Sequence, residues 1–417
     1  MSQFCFVHAA DLHLGTRFHG LAIRDEATAR HFAQATRTAL SRLVDRTIEA
    51  EAAFLLLAGD IYDGEWQDLS TGLDFAAQMA RLARAGIPVF MLRGNHDARS
   101  VVRREITLPD NVRELSTDAP ETVALEHLRV AIHGQGFADR ACPDNLASRY
   151  PVPKEGWFNI GLLHTSLDGR QGHGSYAPCT PADLVARGYD YWALGHSHEF
   201  EMVRHSDPMI VYPGNLQGRS IREQGPKGAV LVMVEDGHIA GPPERLIVDS
   251  GQFLQIGVDI EGLNEMQELW DGLSDQFATV VEPGVETLHA ARIVIGGEGS
   301  IHDALIAIGH EKRMAEAQAA ADRRRDDIRI EKVVLRTAPV RTEEADARAA
   351  NILAAGDFDL KTLLSEAATD PAVQEKITET MAQIGRHMTG GSEQFEGEID
   401  AILAEGRATL LARAEEQ

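Results

Sequence analysis

The sequence has few cysteines and no long apolar run. Cys5, Cys142 and Cys179 lie far apart and form no Cys-x-x-Cys pair, so neither a disulfide framework nor a thiolate zinc site is indicated. A membrane span needs about 18 or more consecutive apolar residues, and none occurs; the first residues also lack the basic segment and apolar run of a secretory signal. We therefore expect a cytoplasmic protein with no membrane association.

Positive charge is also scarce. The chain has 40 Lys and Arg against 64 Asp and Glu, a formal net charge of −24 at pH 7. Nucleic-acid-binding proteins usually neutralise phosphates with Lys and Arg, so this balance by itself argues against such a partner. Part of the excess is concentrated in residues 341–417, which hold 16 acidic and 7 basic residues, a net of −9 in under a fifth of the chain. Bound metal ions would neutralise some of the remaining acid, so a nucleic-acid partner stays open.

Short apolar runs alternate with helical patterns in the first part of the chain. Runs typical of buried strands occur at residues 4–10, 53–58 and 87–92, and helical spacing of apolar residues occurs at 27–50 and 70–85. Further strands with fewer helices between them are predicted at residues 123–133, 158–163, 190–194, 209–212 and 228–234. This pattern indicates an α/β fold, a layered β-sandwich flanked by helices, rather than a doubly wound sheet.

The length of 417 residues predicts two or three domains. Residues 1–248 form the first, and a second, small α/β domain is expected over 249–340. Its predicted elements are strands at 254–260, 292–295 and 328–335 and helices at 263–277 and 300–323. Residues 341–417 carry two amphipathic stripes, which predict a helical tail.

Five polar clusters follow the predicted strands. They are Asp11 with His13, Asp60 with Asp63, Asn95 with His96 and Asp97, His164, and His196 with His198. On an extended segment, residues two apart point the same way, so Asp11 and His13 could bind one ion and the last His pair could serve neighbouring ions. A single strand-end histidine is more often a structural residue, but five clusters in this order favour a metal site. Mixed Asp, Asn and His ligands suit Mn, Fe, Zn or Mg.

The order D-x-H, G-D-x-x-D, G-N-H-D, H, G-H-x-H resembles the calcineurin-like metallophosphoesterase superfamily over about the first 235 residues. The resemblance implies two divalent ions, with Mn²⁺ expected first, that would bind a phosphate and activate a water for attack on phosphorus. It assigns the ligands as follows: Asp11, His13 and His198 to one ion, Asn95, His164 and His196 to the other, and Asp60 as a bridge.

The same resemblance implies a catalytic role for His96. Its imidazole would stabilise the developing charge or protonate the leaving oxygen. Asp63 is the expected orienter of that imidazole, and Asp97 is the alternative. Asp63 could instead cap the N-terminus of the following helix.

Longer stretches resemble one branch of the superfamily. HAADLHLG, GDIYD and RGNHD look like the SbcD-type nucleases of DNA double-strand-break repair, and residues 212–219 (YPGNLQGR) with 225–228 (GPKG) are similar to the YhaO-type bacterial branch. The branch implies that residues 249–340 are a capping domain and that the tail docks onto an SbcC-like coiled-coil ATPase. It also implies a homodimer formed through helices of the catalytic domain. The tail stripes could equally pack on their own protein.

Basic residues that follow the metal motifs are candidates for contact with DNA phosphates. They are Arg17, His19, Arg99, Arg103, Arg104, Arg219 and Arg222. Each could equally be a solvated surface charge. Arg323 to Arg325 precede Asp326 and Asp327, so we interpret that run as an exposed helix end.

Three functions remain from the sequence. The first is a manganese-dependent DNA exonuclease, with endonuclease activity as an extension, that works with an ATPase. The second is a small-molecule phosphodiesterase or phosphatase on the same core, although the chain after the core has no obvious use there. The third is a DNA-end-binding scaffold subunit, which the presence of competent residues at all seven ligand positions disfavours.

Overall fold

The computed structural model of the chain describes residues 3–16, 26–63, 69–99, 106–167, 176–280 and 287–340, with the side chains of Glu26 and Arg99 excepted. The predicted tail helices of residues 341–417 lie outside the described residues. The chain divides into two compact units, Met1–Leu254 with Glu286–His289 and Gln255–Val285 with Ala290–Gln417. No helix in the described part is long and apolar enough to cross a bilayer.

The first sheet of the large unit is built on parallel strands. Its members are β1 (Gln3–Ala9), β2 (Phe54–Leu57), β3 (Val89–Met91), β4 (Val112–Glu114), β11 (Gly228–Glu235), β12 (His238–Ile239) and β13 (Glu244–Ile247), in the order β12-β11-β1-β2-β3-β4 with β13 beside β11. Strands β1 to β4 are parallel to one another, whereas β11 is antiparallel to β1. Helices α1 (Glu26–Glu49) and α2 (Leu69–Arg84) connect the parallel strands.

The second sheet has the order β5-β6-β7-β8-β10-β9. Its strands are β5 (Glu121–Leu125), β6 (Val130–Gly134), β7 (Phe158–His164), β8 (Tyr191–Gly195), β9 (Glu201–Arg204) and β10 (Met209–Tyr212). Strands β6, β7, β8 and β10 are parallel. A short helix, α3 (Pro181–Val185), packs near Trp192 on the outer face, where the Trp192 indole donates to the Leu184 carbonyl.

The two sheets pack face to face around an aromatic core. Alternation along β1 sends Phe4 and Phe6 into this core and Cys5 and Val7 toward the helices. The rings of Phe6 and Phe54 stack with centroids 5.0 Å apart. The predicted α/β layered sandwich flanked by helices is therefore confirmed.

A buried histidine also joins the two sheets. His8 Nε2 lies 3.1 Å from the Leu194 carbonyl, which can only accept, so Nδ1 accepts the hydrogen bond of the Tyr191 hydroxyl at 3.0 Å. Burial lowers the pKa of His8 to about 3. A neutral His8 thus ties β1 to β8 directly beneath the strand ends that carry the polar clusters.

The small unit is an α/β structure. Its three-stranded sheet has the order β14-β15-β16, with β14 (Gly251–Asp259), β15 (Leu288–Glu298) and β16 (Ile328–Ala338), and its helices are α4 (Met266–Thr279), α5 (His302–Ala307) and α6 (Gly309–Asp322). The single helix predicted over 300–323 is wrong: Gly309 has φ 73°, a left-handed conformation that separates α5 from α6.

Two further sequence predictions need correction. The strand predicted over 123–133 is two antiparallel strands, β5 and β6, joined by a turn in which Arg129 has φ 53°. The short strands β4, β9, β12 and β13 were not predicted, because two to four residues carry too little apolar periodicity.

The Arg323 to Arg325 run follows α6, and each arginine pairs with a carboxylate, of Asp271, Asp275 and Asp327 respectively. This agrees with an exposed helix end.

Candidate metal centre

The polar clusters converge because the strands that precede them end at one edge of the sandwich. Parallel strands β1, β2 and β3 end together in the first sheet, as do β7 and β8 in the second. Hydrogen bonds join the two edges: the His196 backbone donates to both Asp11 carboxylate oxygens at 3.1 and 2.9 Å, and His164 Nδ1 donates to the Ala58 carbonyl at 2.9 Å.

The first cluster does not have the backbone that alternation predicted. Asp11 and His13 lie beyond the end of β1 and have φ 51° and 44°, so the predicted extended segment is wrong there. Asp60 and His196 also have positive φ, 52° and 106°. The backbone N–H groups of Asp11 and His13 donate to the carbonyls of Gly59 and Asp60, respectively, both at 3.0 Å. These hydrogen bonds hold the segment from Asp11 to His13 in its conformation. Such strained residues concentrate at functional sites, where the surrounding structure maintains them.

One group of potential ligand atoms belongs to Asp11, His13 and His198. These atoms all lie within 4.8 Å of one another, and the two Nε2 atoms are 3.1 Å apart. Burial is the main cause that lowers the pKa of both His13 and His198, and the nearby Arg219 charge adds to it. A lowered pKa favours the neutral imidazole with its lone pair, which is the state that binds metal ions.

A second group comprises Asp11, Asp60 and His164, with ligand atoms again within 4.8 Å. Because His164 Nδ1 donates to a carbonyl, its Nε2 carries the lone pair, and burial lowers the pKa of His164 to about 3. Yet this Nε2 faces Asn95 Oδ1 at 3.0 Å and Asp60 Oδ2 at 3.5 Å. The lone pair of His164 Nε2 and these two oxygens repel one another, and a cation bound among the three atoms would remove that repulsion. His196 is close by, with its ring centroid 5.2 Å from that of His164.

The carboxylates fit a cation as well. Asp11 and Asp60 are only 1% and 2% exposed. Burial raises the pKa of both groups, and for Asp11 the negative charge of Asp60 raises it further. Burying two like charges this close together is unfavourable without a counter-charge, which divalent ions would supply. The residues present at this edge therefore fit the two ions that the sequence predicts.

His96 and Asp63 form a pair beside these ligands. His96 Nδ1 lies 3.0 Å from Asp63 Oδ1, and Thr16 donates to Asp63 Oδ2 at 2.8 Å. Burial alone would lower the pKa of His96, but the Asp63 hydrogen bond and the charge of Asp60 raise it above its usual value. A ring nitrogen of His96 also lies within 4.8 Å of the potential ligand atoms of His13 and Asp60. The assignment of His96 as a catalytic group rather than a ligand therefore stays a prediction.

The structure places Asp97, the alternative orienter, elsewhere. Its carboxylate accepts backbone hydrogen bonds from Ile61 and Gly94 at 3.1 and 3.0 Å and from Tyr62 at 2.9 Å. It therefore holds the Asp60 and Asn95 loops together and does not contact the His96 imidazole. The helix that Asp63 could cap begins at Leu69, and the residues between them lie outside the described part, so that alternative is untested.

Glu223 and Lys227 are neighbours of the site that the sequence motifs did not indicate. Glu223 Oε1 lies 2.7 Å from His198 Nδ1, and Lys227 donates to the His198 carbonyl at 2.9 Å. Both follow Arg219 in the loop between β10 and β11, well beyond the last of the five polar clusters along the chain. The one available signal was the Arg219 to Glu223 spacing of four residues, which is also common in ordinary surface ion pairs.

The predicted DNA contacts are only partly described. Arg219 pairs with Glu223 at 3.0 Å and is 20% exposed, and Arg222 is exposed nearby. Four of the other candidates (Arg17, His19, Arg103 and Arg104) lie outside the described residues, as does the side chain of Arg99. All of these roles stay predictions.

Comparison with known proteins identifies the family. Residues 5–200 match the family model "Calcineurin-like phosphoesterase", and residues 253–338 match "Metallophosphoesterase YhaO, middle domain". The chain is 34% identical over 300 residues to "Uncharacterized metallophosphoesterase YhaO" of Bacillus subtilis, which covers 71% of this chain and 72% of that protein.

More distant similarities are also present. The "DNA double-strand break repair protein Mre11" of Methanopyrus kandleri is 27% identical over 229 residues, or 50% of this chain and 48% of that protein. The Mre11 protein of Aeropyrum pernix is 29% identical over 61% of this chain and 63% of its own length. A solved dimetal phosphatase from Danio rerio matches with TM-score 0.36 and 11% identity over 58% of this chain and 97% of that one.

The chain is YhaO-like and distantly related to the Mre11 and SbcD nucleases. It belongs to the calcineurin-like metallophosphoesterases and is a metal-dependent phosphoesterase.

Proposed function

We propose that this phosphoesterase cleaves phosphodiester bonds in DNA, as an exonuclease of DNA repair that acts with an SbcC-like coiled-coil ATPase. The observation that carries the metal-dependent chemistry is the position of two oxygen acceptors, Asn95 Oδ1 and Asp60 Oδ2, at 3.0 and 3.5 Å from the unprotonated Nε2 of His164. The DNA substrate is supported by the similarity to two archaeal proteins named for DNA double-strand break repair.

The ligand sets proposed are those that the family resemblance implies: Asp11, His13 and His198 would hold one divalent ion and Asn95, His164 and His196 the other, with Asp60 shared. Two of the groups of neighbouring ligand atoms, Asp11 with His13 and His198 and Asp11 with Asp60 and His164, support part of this assignment. When bound, two such ions, with Mn²⁺ proposed first and Mg, Fe or Zn as alternatives, supply positive charge to the phosphate and lower the pKa of a water.

His96 would act on the leaving oxygen. Because Asp63 accepts the hydrogen bond of His96 Nδ1, the imidazole keeps a proton there and can carry a second proton at Nε2. The raised pKa of His96 keeps a larger fraction of that imidazole protonated near neutral pH. Proton donation from Nε2 to the leaving oxygen is the step that this geometry favours.

A small phosphodiester or phosphomonoester is the second candidate substrate. The observation that favours it is the shortage of free positive charge: the net charge is −24, and Arg219 is paired with Glu223. Phosphate contacts from arginines normally supply a large share of the affinity for DNA.

One experiment separates these functions. Purified protein with Mn²⁺ is incubated with end-labelled DNA and, in parallel, with a chromogenic phosphodiester, with Asn95→Ala and His96→Ala as controls. We expect wild type to degrade DNA and both variants to be inactive. Turnover of the small ester with intact DNA would favour the second candidate, and no turnover of either would favour a DNA-end-binding scaffold.

The partner proposals rest on the family resemblance. Residues 341–417 would dock onto the ATPase, and helices of the catalytic unit would form a homodimer.

A further inference from the structure

We propose that Glu223 is a positioning residue that holds His198 with its Nδ1 protonated, so that the Nε2 lone pair faces the metal centre. This inference depends on the two-ion site of the proposed function but not on the identity of the substrate.

The first step is the contact between the two side chains. Glu223 Oε1 lies 2.7 Å from His198 Nδ1, and the same carboxylate is ion-paired with Arg219 at 3.0 Å. An ionised carboxylate can only accept hydrogen bonds. His198 must therefore carry a proton on Nδ1, and a neutral imidazole then has its lone pair on Nε2.

The second step is the direction in which Nε2 points. It lies 3.1 Å from His13 Nε2 and belongs to the group of ligand atoms that includes Asp11. The tautomer that Glu223 selects is thus the one that can bind an ion at this group. Carboxylates that accept from the second nitrogen of a ligand histidine fix its ring and increase its basicity.

A competing neighbour makes Glu223 necessary. Arg219 Nη2 lies 3.1 Å from His198 Nδ1. A guanidinium has only donors, so without Glu223 it would favour an unprotonated Nδ1 and a proton on Nε2. In that tautomer Nε2 carries a proton and has no lone pair to offer to a cation at the metal centre. Glu223 prevents it by accepting hydrogen bonds from both groups through the same oxygen, Oε1.

The surrounding loop holds Glu223 in turn. Its other oxygen, Oε2, accepts from Asn215 Nδ2 at 2.9 Å and from the Arg219 backbone at 2.8 Å. Lys227 donates to the His198 carbonyl at 2.9 Å, so the backbone of the ligand is held by the same segment. Residues 215–227 therefore fix both the ring and the main chain of His198.

The test measures Mn²⁺ binding to the full chain by titration calorimetry. Glu223→Ala removes the acceptor, and Glu223→Gln keeps the size but can present an NH₂ group to His198 Nδ1. Both variants should bind one of two Mn²⁺ equivalents about 10- to 100-fold more weakly than wild type. The matched control is Glu331→Gln, because Glu331 is also a buried carboxylate, 5% exposed and paired with an arginine (Arg292) at 2.9 Å. It should bind both equivalents as wild type does.

A second readout reports the tautomer itself. Imidazole ¹⁵N spectra of the metal-free protein, with the His198 signals assigned by their loss in His198→Asn, should show Nδ1 protonation in wild type. In Glu223→Gln the proton should move toward Nε2, a change that loss of packing alone would not produce.

The outcomes separate the possible failures. Wild-type Mn²⁺ affinity in both Glu223 variants, an unchanged tautomer in Glu223→Gln, or equal weakening in Glu331→Gln would each overturn the positioning role. A wild-type protein that binds no Mn²⁺ would instead overturn the two-ion site and, with it, the proposed function.

Discussion

His96 and Asp60 are neighbours at the residue scale, yet they should fail in different ways. The His96 backbone donates to Asp60 Oδ1 at 2.9 Å, and a ring nitrogen of His96 lies within 4.8 Å of the Asp60 and His13 ligand atoms, but of the two side chains only that of Asp60 is fully buried there. The imidazole of His96, 31% exposed, instead faces Asp63. Proton transfer and metal binding are therefore assigned to different side chains of one small cluster.

We expect His96→Ala to keep both ions and to lose about 10²- to 10⁴-fold in turnover, the usual contribution of a general acid. Asp60→Ala should lose metal as well, because it removes the shared carboxylate. Metal analysis of the two purified proteins distinguishes these results. Equal metal loss in both would remove His96 from its assigned role.

A buried carboxylate outside the metal centre predicts a pH dependence of stability. Burial is the main cause that raises the pKa of Asp249 to about 6 from a usual value of 3.8, against hydrogen bonds from Gln252 and the Lys227 backbone. The folded state therefore holds this proton more tightly than the unfolded state. Its stabilising effect is full below about pH 4 and is lost as pH rises through 6.

The loss corresponds to about 3 kcal/mol in the free energy of unfolding. Asp249→Asn should remove this dependence, since an amide cannot ionise. Denaturant unfolding of both metal-free proteins at pH 4.5 and 7.5 measures the difference. Parallel pH profiles would contradict the assignment.

At the scale of elements, the site depends on how closely the ends of β2 and β8 approach. A Cβ on Gly195 would collide with the Ala58 carbonyl, which is the acceptor for His164 Nδ1. Gly195 ends β8 immediately before the ligand segment of His196 and His198. The two sheets can therefore place their ligands together only because this position has no side chain.

Gly195→Ala should lower the free energy of unfolding by about 1–3 kcal/mol, the usual cost of overpacking. It should also reduce the bound Mn²⁺. The control is Gly272→Ala on the exposed face of α4, where a Cβ meets nothing within 4 Å. That change should stabilise the protein by about 0.5–1 kcal/mol. A Gly195→Ala protein with full metal content would show that the strand ends can separate without harm.

At the scale of the whole molecule, the acidic charge and the proposed DNA substrate must be reconciled. The net charge is −24, and residues 341–417, with 16 acidic and 7 basic residues, carry −9 of it in under a fifth of the chain. A tail that docks onto a partner would not need to approach the DNA. The acidic tail would then contact the partner protein, and the metal centre would act separately on the DNA.

Deletion of residues 341–417 should leave hydrolysis of a small phosphodiester unchanged and abolish association with the ATPase. The ester assay and co-purification with the partner measure the two effects. A truncated chain that still co-purifies with the ATPase would show that the tail packs on its own protein.

The sequence by itself determined most of the longer strands, the layered sandwich and the candidate ligands, because these depend on local patterns of apolar and polar residues. It predicted ligands two residues apart on extended strands, although Asp11 and His13 have left-handed backbones. It favoured Asp63 over Asp97 as the partner of His96 but could not exclude Asp97, because both are acidic and only the fold decides which one reaches the imidazole.

Only the tertiary structure decided which of these groups meet. It placed Asp63 against His96 and Asp97 against three backbone amides, and it brought Glu223 to His198 from 25 residues away. Such pairings depend on where separate strands end in space, and local sequence patterns do not encode the distance between those strand ends. Hydrogen-bond direction and burial, which set the tautomers and charges of the metal centre, arise only from this packing.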